Sequence, residues 1–312
     1  MNLYLYSFYY LIYGFVVNFI FLHFYIKYQL KNKDGEDIKD FLTHHQGKQS
    51  TPNKGGIGFF ITLLPILLYF KNFLLTFVVI ISFILGILDD LYKKNGGVKS
   101  YVRLILWGLV ALFVTIYNYH INDGFVIIPI INKYVNMKSA YVPVFAFFFL
   151  AALNSVAVSD GLDGMISFPL IMNFIFLSIV SIFLKNYEYL IICVVTIGFL
   201  LSFLFFNINK AKIFMSECGS ILCGTLLLSL YFLLKVELFL WIFAALFAIN
   251  IISTTLQVIA IRLYKKKIFK MAPLHHHFEL SGFSETTIVF YVWLISLLLF
   301  IVGLYSYFSY IL

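Results

Sequence analysis

Apolar stretches of about 20 residues recur along the whole 312-residue chain, and this spacing limits the fold more than any motif does. An α-helix of about 20 residues crosses a hydrocarbon core about 30 Å thick while satisfying its own backbone polar groups. Transmembrane strands would show alternating segments of roughly ten residues, and the sequence has no such pattern. With 62% hydrophobic and only 12% charged residues, the chain has too few charges to cover itself as a soluble domain, where about a quarter of residues are charged. The expected fold class is therefore an all-α polytopic membrane protein. Helices are expected at about 3–26, 56–70, 73–88, 101–118, 140–158, 165–184, 189–206, 220–234, 238–261 and 287–310, ten in all. The first run has no basic segment before it and no small-residue cleavage site after it, so it reads as a retained span. No repeat, low-complexity linker or soluble insertion interrupts the pattern, and residues 1–312 read as one domain.

Ten spans place alternate connections on opposite sides. One set comprises 27–55, 89–100 with Arg103 just beyond, 159–164, 207–219 and 262–286, and it holds 17 of the 22 Lys and Arg residues. The other five are Lys71, Lys133, Lys138, Lys185 and Lys235. The positive-inside bias assigns the first set to the cytoplasm and both termini to the opposite side. The net charge of +8 thus reflects orientation in the bilayer and gives no reason to invoke nucleic acid. Cys193, Cys218 and Cys223 lie in or beside apolar runs without CxxC spacing, which suggests neither a disulfide framework nor a zinc site.

The unusual polar residues follow the same parity. Asp89 and Asp90 end an apolar run in "LGILDDLYKK", with Lys93 and Lys94 about one helical turn away. The pair reads either as a span end or as a carboxylate pair for a divalent cation or general-base work, since adjacent acids repel until a cation relieves them. In "NSVAVSDGLDGM" an Asx-turn accounts for one Asp but not for both Asp160 and Asp163 in so short a loop. Carboxylates against hydrocarbon cost roughly 2.5–3.5 kcal/mol on insertion scales and are usually kept for function. The run His275, His276, His277 cannot turn three consecutive rings toward one ion; a solvated run, or proton transfer or phosphate contact by one of them, remains. "GKQSTPNKGGIG" is not a P-loop, but Lys48 and Lys54 with three glycines before a helix suit either a basic loop or a phosphate cradle. Glu217 stands alone in "KIFMSECGS" among Ser216, Cys218, Gly219 and Ser220. Together these loops offer acids for a metal, bases for anions and histidine beside an apolar bundle. That set suits Mg²⁺-assisted phosphoryl transfer to or from a lipid.

From about His45 to Glu285 the motifs resemble the phospho-N-acetylmuramoyl-pentapeptide-transferase family, within the polyprenyl-phosphate N-acetylhexosamine-1-phosphate transferase superfamily. "TPNKGGI" is similar to TPTMGGI, "DDLYK" to DDYRK and "NSVAVSDGLDG" to NAVNLTDGLDG. "FNINKAKIFMSECGS" is similar to FNTxPAxVFMGDxGS and "KIFKMAPLHHHFEL" to RIFRMAPIHHHYEL, the last setting this family apart from glycan-initiating relatives. The resemblance implies a bacterial inner-membrane enzyme, multi-pass, with its active site facing the cytoplasm. It would transfer phospho-MurNAc-pentapeptide from its UDP carrier to undecaprenyl phosphate with Mg²⁺, giving lipid I and UMP. The partners implied are those two substrates, the lipid bilayer and, in the assembly, a homodimer.

By position, the resemblance makes Asp89 the base for the lipid phosphate with Asp90 beside it, and Glu217 the metal ligand. It makes Asp163 and His275 catalytic near the diphosphate. Lys48, Asn53, Lys93, Arg103, Asn154, Asp160, Asn207, Phe214 and His276 would bind substrate, with Phe214 against uracil. The small residues around Glu217 would let a metal-bound diphosphate approach closely. Several positions depart from the family pattern: Ala157 for Asn, Arg103 for Lys, Asn53 for Thr, Ser216 for Gly, Asn250 for Glu and Glu217 for the metal-binding Asp. Transfer of GlcNAc-1-phosphate, or a scaffold derived from the enzyme with its catalysis impaired, are the alternatives.

Overall fold

The computed structural model of the protein describes residues 3–32, 35, 50–93, 97–131 and 133–311. Lys48 and Lys94 lie outside the described residues. The chain runs through α1 (Leu3–Asn32), α2 (Gly56–Tyr69), α3 (Phe73–Tyr92), α4 (Ser100–Asn122), α5 (Tyr141–Ser159) and α6 (Ser167–Phe183). It continues through α7 (Tyr187–Asn207), α8 (Ser216–Leu233), a short α9 (Leu240–Phe243), α10 (Ala245–Tyr264), a one-and-a-half-turn α11 (Leu274–Glu279) and α12 (Glu285–Ile311). Nine of the expected runs each fall on one of these helices, whereas the run expected at 238–261 is broken at Ala244 into the short α9 and the longer α10. Among the described residues, eight helices are long and apolar enough to cross a membrane. The other two expected spans, Gly56–Tyr69 and Ser167–Phe183, are shorter. At 1.5 Å per residue they reach only about 21 and 26 Å.

The tightest connections share one local design. Lys71 and Lys185 take left-handed φ values of 54° and 55°, which reverses the chain at the end of the preceding helix. The next residue is then an asparagine N-cap. The Asn72 side chain accepts from the Leu75 N–H at 2.9 Å, and that of Asn186 accepts from the Tyr189 N–H at 3.2 Å. A side-chain oxygen at this position satisfies one of the amides that a helix start leaves open.

The chain divides into two compact units, Met1–Arg103 with Leu177–Leu226, and Leu104–Phe176 with Leu227–Leu312. In the first, α1 packs along α7, and α2 packs against α1, α7 and α3. Phe59 of α2 stacks on Phe199 of α7 with ring centroids 4.4 Å apart, and both side chains are fully buried. In the second, α10 packs on α5, and α12 packs on α9 and α11. Its core holds an aromatic cluster in which Phe176 contacts Tyr231, Phe239, Phe243 and Tyr307. Lipid tails are as apolar as these rings, so the contact gain comes from close packing more than from transfer out of water.

Two features go beyond the expected helices. The expected connection 119–139 begins with the last turn of α4 and contains an antiparallel pair, β1 (Phe125–Ile128) on β2 (Lys133–Asn136). The apolar, β-branched "FVII" suits a pleated ladder, and the Ile130 N–H donates to Ser306 Oγ of α12 at 2.8 Å. The basic stretch after α10 is folded back by Gln257. Its Oε1 accepts from the Ile268 and Phe269 N–H groups at 3.0 Å each, and its Nε2 donates to the Phe269 carbonyl at 3.0 Å. This anchor precedes the histidine run, which forms α11.

Candidate functional site

In the first unit, α3 delivers Asp89 and Asp90 in its last full turn, both buried. Their two carboxylates do different things. Asp90 accepts from the Glu217 N–H at 3.1 Å and from the Cys218 N–H at 3.0 Å. These are open amides of the first turn of α8, so Asp90 caps that helix from another element and places a negative charge at its positive end. Asp89 accepts from the Val98 N–H at 3.0 Å and from Arg103 Nη1 at 2.9 Å. The same Arg103 nitrogen lies 3.5 Å from Glu217 Oε1. Two acids from separate helices thus converge on one guanidinium, and Asp90 sets where α8, and with it Glu217, begins.

The small residues beside Glu217 are occupied by helix packing. A Cβ on Gly56 would lie 2.2 Å from Gly219 Cα, and one on Gly86 would lie 2.6 Å from Cys218 Cα. The first turn of α8 is therefore pressed against α2 and α3, and these positions serve backbone contact where the sequence suggested room for a diphosphate. Residues 52–56 also pair with the segment before α8. The Phe214 N–H donates to the Pro52 carbonyl at 2.8 Å, the Gly55 N–H to the Phe214 carbonyl at 2.9 Å, and the Lys54 N–H to Ser216 Oγ at 3.0 Å. Ser216 adopts φ 61°, the left-handed region in which the family pattern has glycine.

The proposed nucleotide residues of this unit surround the same segment. Asn207 ends α7 buried, and its Nδ2 donates to the Ile213 carbonyl at 2.8 Å, closing the loop that carries Phe214. Phe214 is half-buried. The Asn53 N–H donates to Gln29 Oε1 at 2.8 Å, and Lys93 is exposed just past α3. Mg²⁺ is commonly held by one or two carboxylates together with substrate phosphates. Glu217, which with Asp89 faces the Arg103 cation, is the carboxylate that could serve such an ion. No cluster of three or more His, Cys, Asp or Glu groups able to hold an ion alone occurs among the described residues.

In the second unit, the loop after α5 meets α11 and the head of α12. Asp160 is the C-cap of α5, and its N–H donates to the Ala157 carbonyl at 3.3 Å. Asp163 is buried, and its N–H donates to Glu285 Oε1 at 2.6 Å. Glu285 was given no role from sequence, although an acid in the first turn of a helix is favourable there. His275 is buried, with Nδ1 3.3 Å from Asn250 Oδ1. A Cβ on Gly161 would lie 2.2 Å from His275 Nε2, so only glycine allows the ring to approach the loop this closely.

The three histidines face three ways, as their spacing required. His276 Nδ1 pairs with Glu279 Oε2 at 2.6 Å, and His277 Nδ1 accepts from the Lys270 N–H at 3.1 Å. Asn154 donates back to the Leu150 carbonyl of its own helix at 2.7 Å. Ser159, Asn250 and His275 form the polar part of an otherwise apolar cavity of about 390 Å³, lined also by Met165, Phe247 and Val292. Asn250 and Gln257 were legible as polar residues inside an apolar run; Ser159, in a span end rich in small residues, carried no such signal.

The description of Glycosyl transferase family 4 matches residues 72–235. Three curated relatives cover most of the chain, each named phospho-N-acetylmuramoyl-pentapeptide-transferase. The protein of Caldicellulosiruptor bescii is 34% identical over 278 residues, covering 85% of this chain and 86% of the relative. That of Clostridium novyi is 33% identical over 290 residues, covering 88% and 89%. That of Clostridium perfringens is 36% identical over 270 residues, covering 83% and 85%.

Proposed function

The chain belongs to the phospho-N-acetylmuramoyl-pentapeptide-transferase family within Glycosyl transferase family 4, and on that premise we propose how its residues perform lipid I synthesis. It transfers phospho-MurNAc-pentapeptide from UDP-MurNAc-pentapeptide to undecaprenyl phosphate. An oxygen of the lipid phosphate attacks the phosphorus that bears the sugar, the bond from that phosphorus to the UMP oxygen breaks, and UMP leaves. The products are UMP and lipid I, in which a new diphosphate joins the lipid to the sugar.

The observation that carries this reading is the convergence of Asp89 and Glu217 on Arg103 in the first unit. Phosphoryl transfer needs positioning and charge neutralisation more than covalent chemistry from the protein. Asp89 receives the proton of the attacking lipid phosphate, and Asp90 acts by holding the head of α8. Arg103 and Lys93 neutralise phosphate oxygens, while Phe214, Asn207, Asn53 and Lys48 hold the nucleotide end. Asp163 and His275 are assigned to the diphosphate, and Asp160, Asn154 and His276 to substrate binding. Glu217, together with substrate phosphate oxygens, would hold Mg²⁺, which when bound supplies Lewis-acid stabilisation of phosphate charge.

The 17-to-5 division of basic residues supports ten spans with both termini outside the cytoplasm, two of them crossing through the shorter α2 and α6. The enzyme then lies in the bacterial inner membrane and works at its cytoplasmic face. Residues 1–312 are taken as one transferase domain, and the enzyme as a homodimer. The test is UMP release by detergent-purified protein given UDP-MurNAc-pentapeptide and undecaprenyl phosphate across Mg²⁺ and Mn²⁺ concentrations, with UDP-GlcNAc as the competing donor. UMP release with the pentapeptide donor is expected. Release only with UDP-GlcNAc, or none with either donor, overturns the reading.

A further inference from the structure

His275 and its surroundings carry more than a place in the proposed site. Its Nδ1 lies 3.3 Å from Asn250 Oδ1, and Asn250 Nδ2 donates to Ser159 Oγ at 3.0 Å. All three residues are buried, with exposures of 3% for His275, 9% for Asn250 and 1% for Ser159. The backbone of Asn250 is also tied down, its carbonyl accepting from Ser253 Oγ at 2.8 Å and Thr254 Oγ1 at 2.9 Å. Where the family pattern places a glutamate, this chain has a neutral amide.

The chemistry of the amide decides the state of the ring. Its nitrogen is engaged by Ser159, so its oxygen faces the histidine and can only accept. Nδ1 must then carry a proton, and in the neutral ring this leaves Nε2 as the basic nitrogen, held against Gly161 beside Asp160. A carboxylate in place of Asn250 would instead favour imidazolium, because an opposite charge stabilises the charged form. The apolar cavity behind the three residues offers few competing partners, and a hydrogen bond in such surroundings counts for more than one in water.

We propose that Asn250 is a positioning residue for His275, fixing the neutral Nδ1–H tautomer through a Ser159–Asn250–His275 relay so that Nε2 is presented to the Asp160–Gly161 loop as an uncharged acceptor. The proposal rests on the assignment of His275 to the transferase site, but its first readout needs no turnover. The other titratable groups around the ring are His276 and Glu279 on α11, Asp160 and Asp163 in the loop, and Tyr291 and Glu285 on α12. None of these residues is itself substituted in the Asn250 variants.

The experiment is ¹⁵N-histidine NMR on the full-length protein in detergent micelles, with His275→Gln to identify the resonance. At pH 7 the wild-type ring is expected as the neutral Nδ1–H tautomer. In Asn250→Asp the midpoint of the His275 titration should rise by about one pH unit or more. In Asn250→Leu the tautomer should revert to mainly Nε2–H. In the UMP-release assay the acid limb of the kcat profile should move up by the same amount in Asn250→Asp, with the KM for the nucleotide substrate changed less than twofold. A wild-type Nε2–H tautomer, or an unmoved titration in an Asn250→Asp protein that melts like wild type, overturns the proposal. Protein that shows the expected tautomers yet releases no UMP overturns the functional reading and leaves the relay standing.

Discussion

Glu237 lies in the turn between α8 and α9, outside the spanning helices, and is 1% exposed. Its Oε1 accepts from Asn118 Nδ2 and from the Tyr141 hydroxyl, each at 2.8 Å. Asn118 also takes a hydrogen bond from Asn122 at 3.3 Å, so the carboxyl ties the end of α4 and the start of α5 to this turn. Oε2 has no partner among the described residues. Burial raises the carboxyl from 4.5 to about 7, against the opposing pull of its backbone amide, Tyr141, Asn118 and the Lys235 charge. The folded protein thus keeps a proton on Glu237 at pH values where the unfolded chain has released it. Stability from this group is fully present below about pH 4.5 and is lost as pH rises to about 7, at about 1.4 kcal/mol per pH unit, or about 3 kcal/mol in all. Glu237→Gln keeps an acceptor for Asn118 and Tyr141 and cannot ionise. Thermal unfolding of both proteins in detergent from pH 4.5 to 8 should show the glutamine variant gaining relative stability through that window and levelling off above it. A pH-independent offset added to that slope is compatible with local repacking. A difference with no slope between pH 4.5 and 7 would refute the account of Glu237 as a buried neutral acid.

Three further outcomes follow from the geometry. Gly56→Leu should cost more than about 3 kcal/mol or prevent folding, because its Cβ would sit 2.2 Å from Gly219 Cα and backbone cannot yield there; monodispersity on size exclusion and the melting temperature report it. Glu217→Asp, which shortens the acid that faces Arg103, should raise UMP release at saturating Mg²⁺, whereas a fall would mean that the site has adapted to the longer side chain. Gln257→Leu removes three hydrogen bonds that fold back the 265–270 stretch, and trypsin should then cut at Lys265, Lys266 or Lys267 at least ten times faster with melting lowered by a few degrees; unchanged cleavage would count against Gln257 as the anchor.

The helices were readable from the chain because a membrane leaves little choice: a long apolar run must satisfy its own backbone. The connections were readable only in part. "KN" at 71–72 announced a tight turn, yet the left-handed lysine followed by an asparagine cap emerged only with the backbone in view. Asp89 and Asp90 looked equivalent in sequence, being adjacent and flanked by the same lysines. The fold separates them, since successive helical side chains diverge by about 100°, sending Asp90 to the head of α8 and Asp89 to Arg103. The glycine and cysteine after Glu217 suggested open space for a ligand, but their absent bulk is used by α2 and α3.

What the chain by itself determined is the class of fold, the segments that become helices and the family whose motifs its polar loops share. All of these rest on local properties: apolar run length, charge parity across connections and residue types at short spacing. Only the tertiary structure decided which polar groups meet. Glu237 with Asn118 and Tyr141, His275 with Asn250 and Ser159, and Arg103 with Asp89 and Glu217 join residues from 14 to 119 positions apart. Such meetings depend on how helices pack, and packing is set by the shape of every side chain along the contact, which no single stretch of sequence carries.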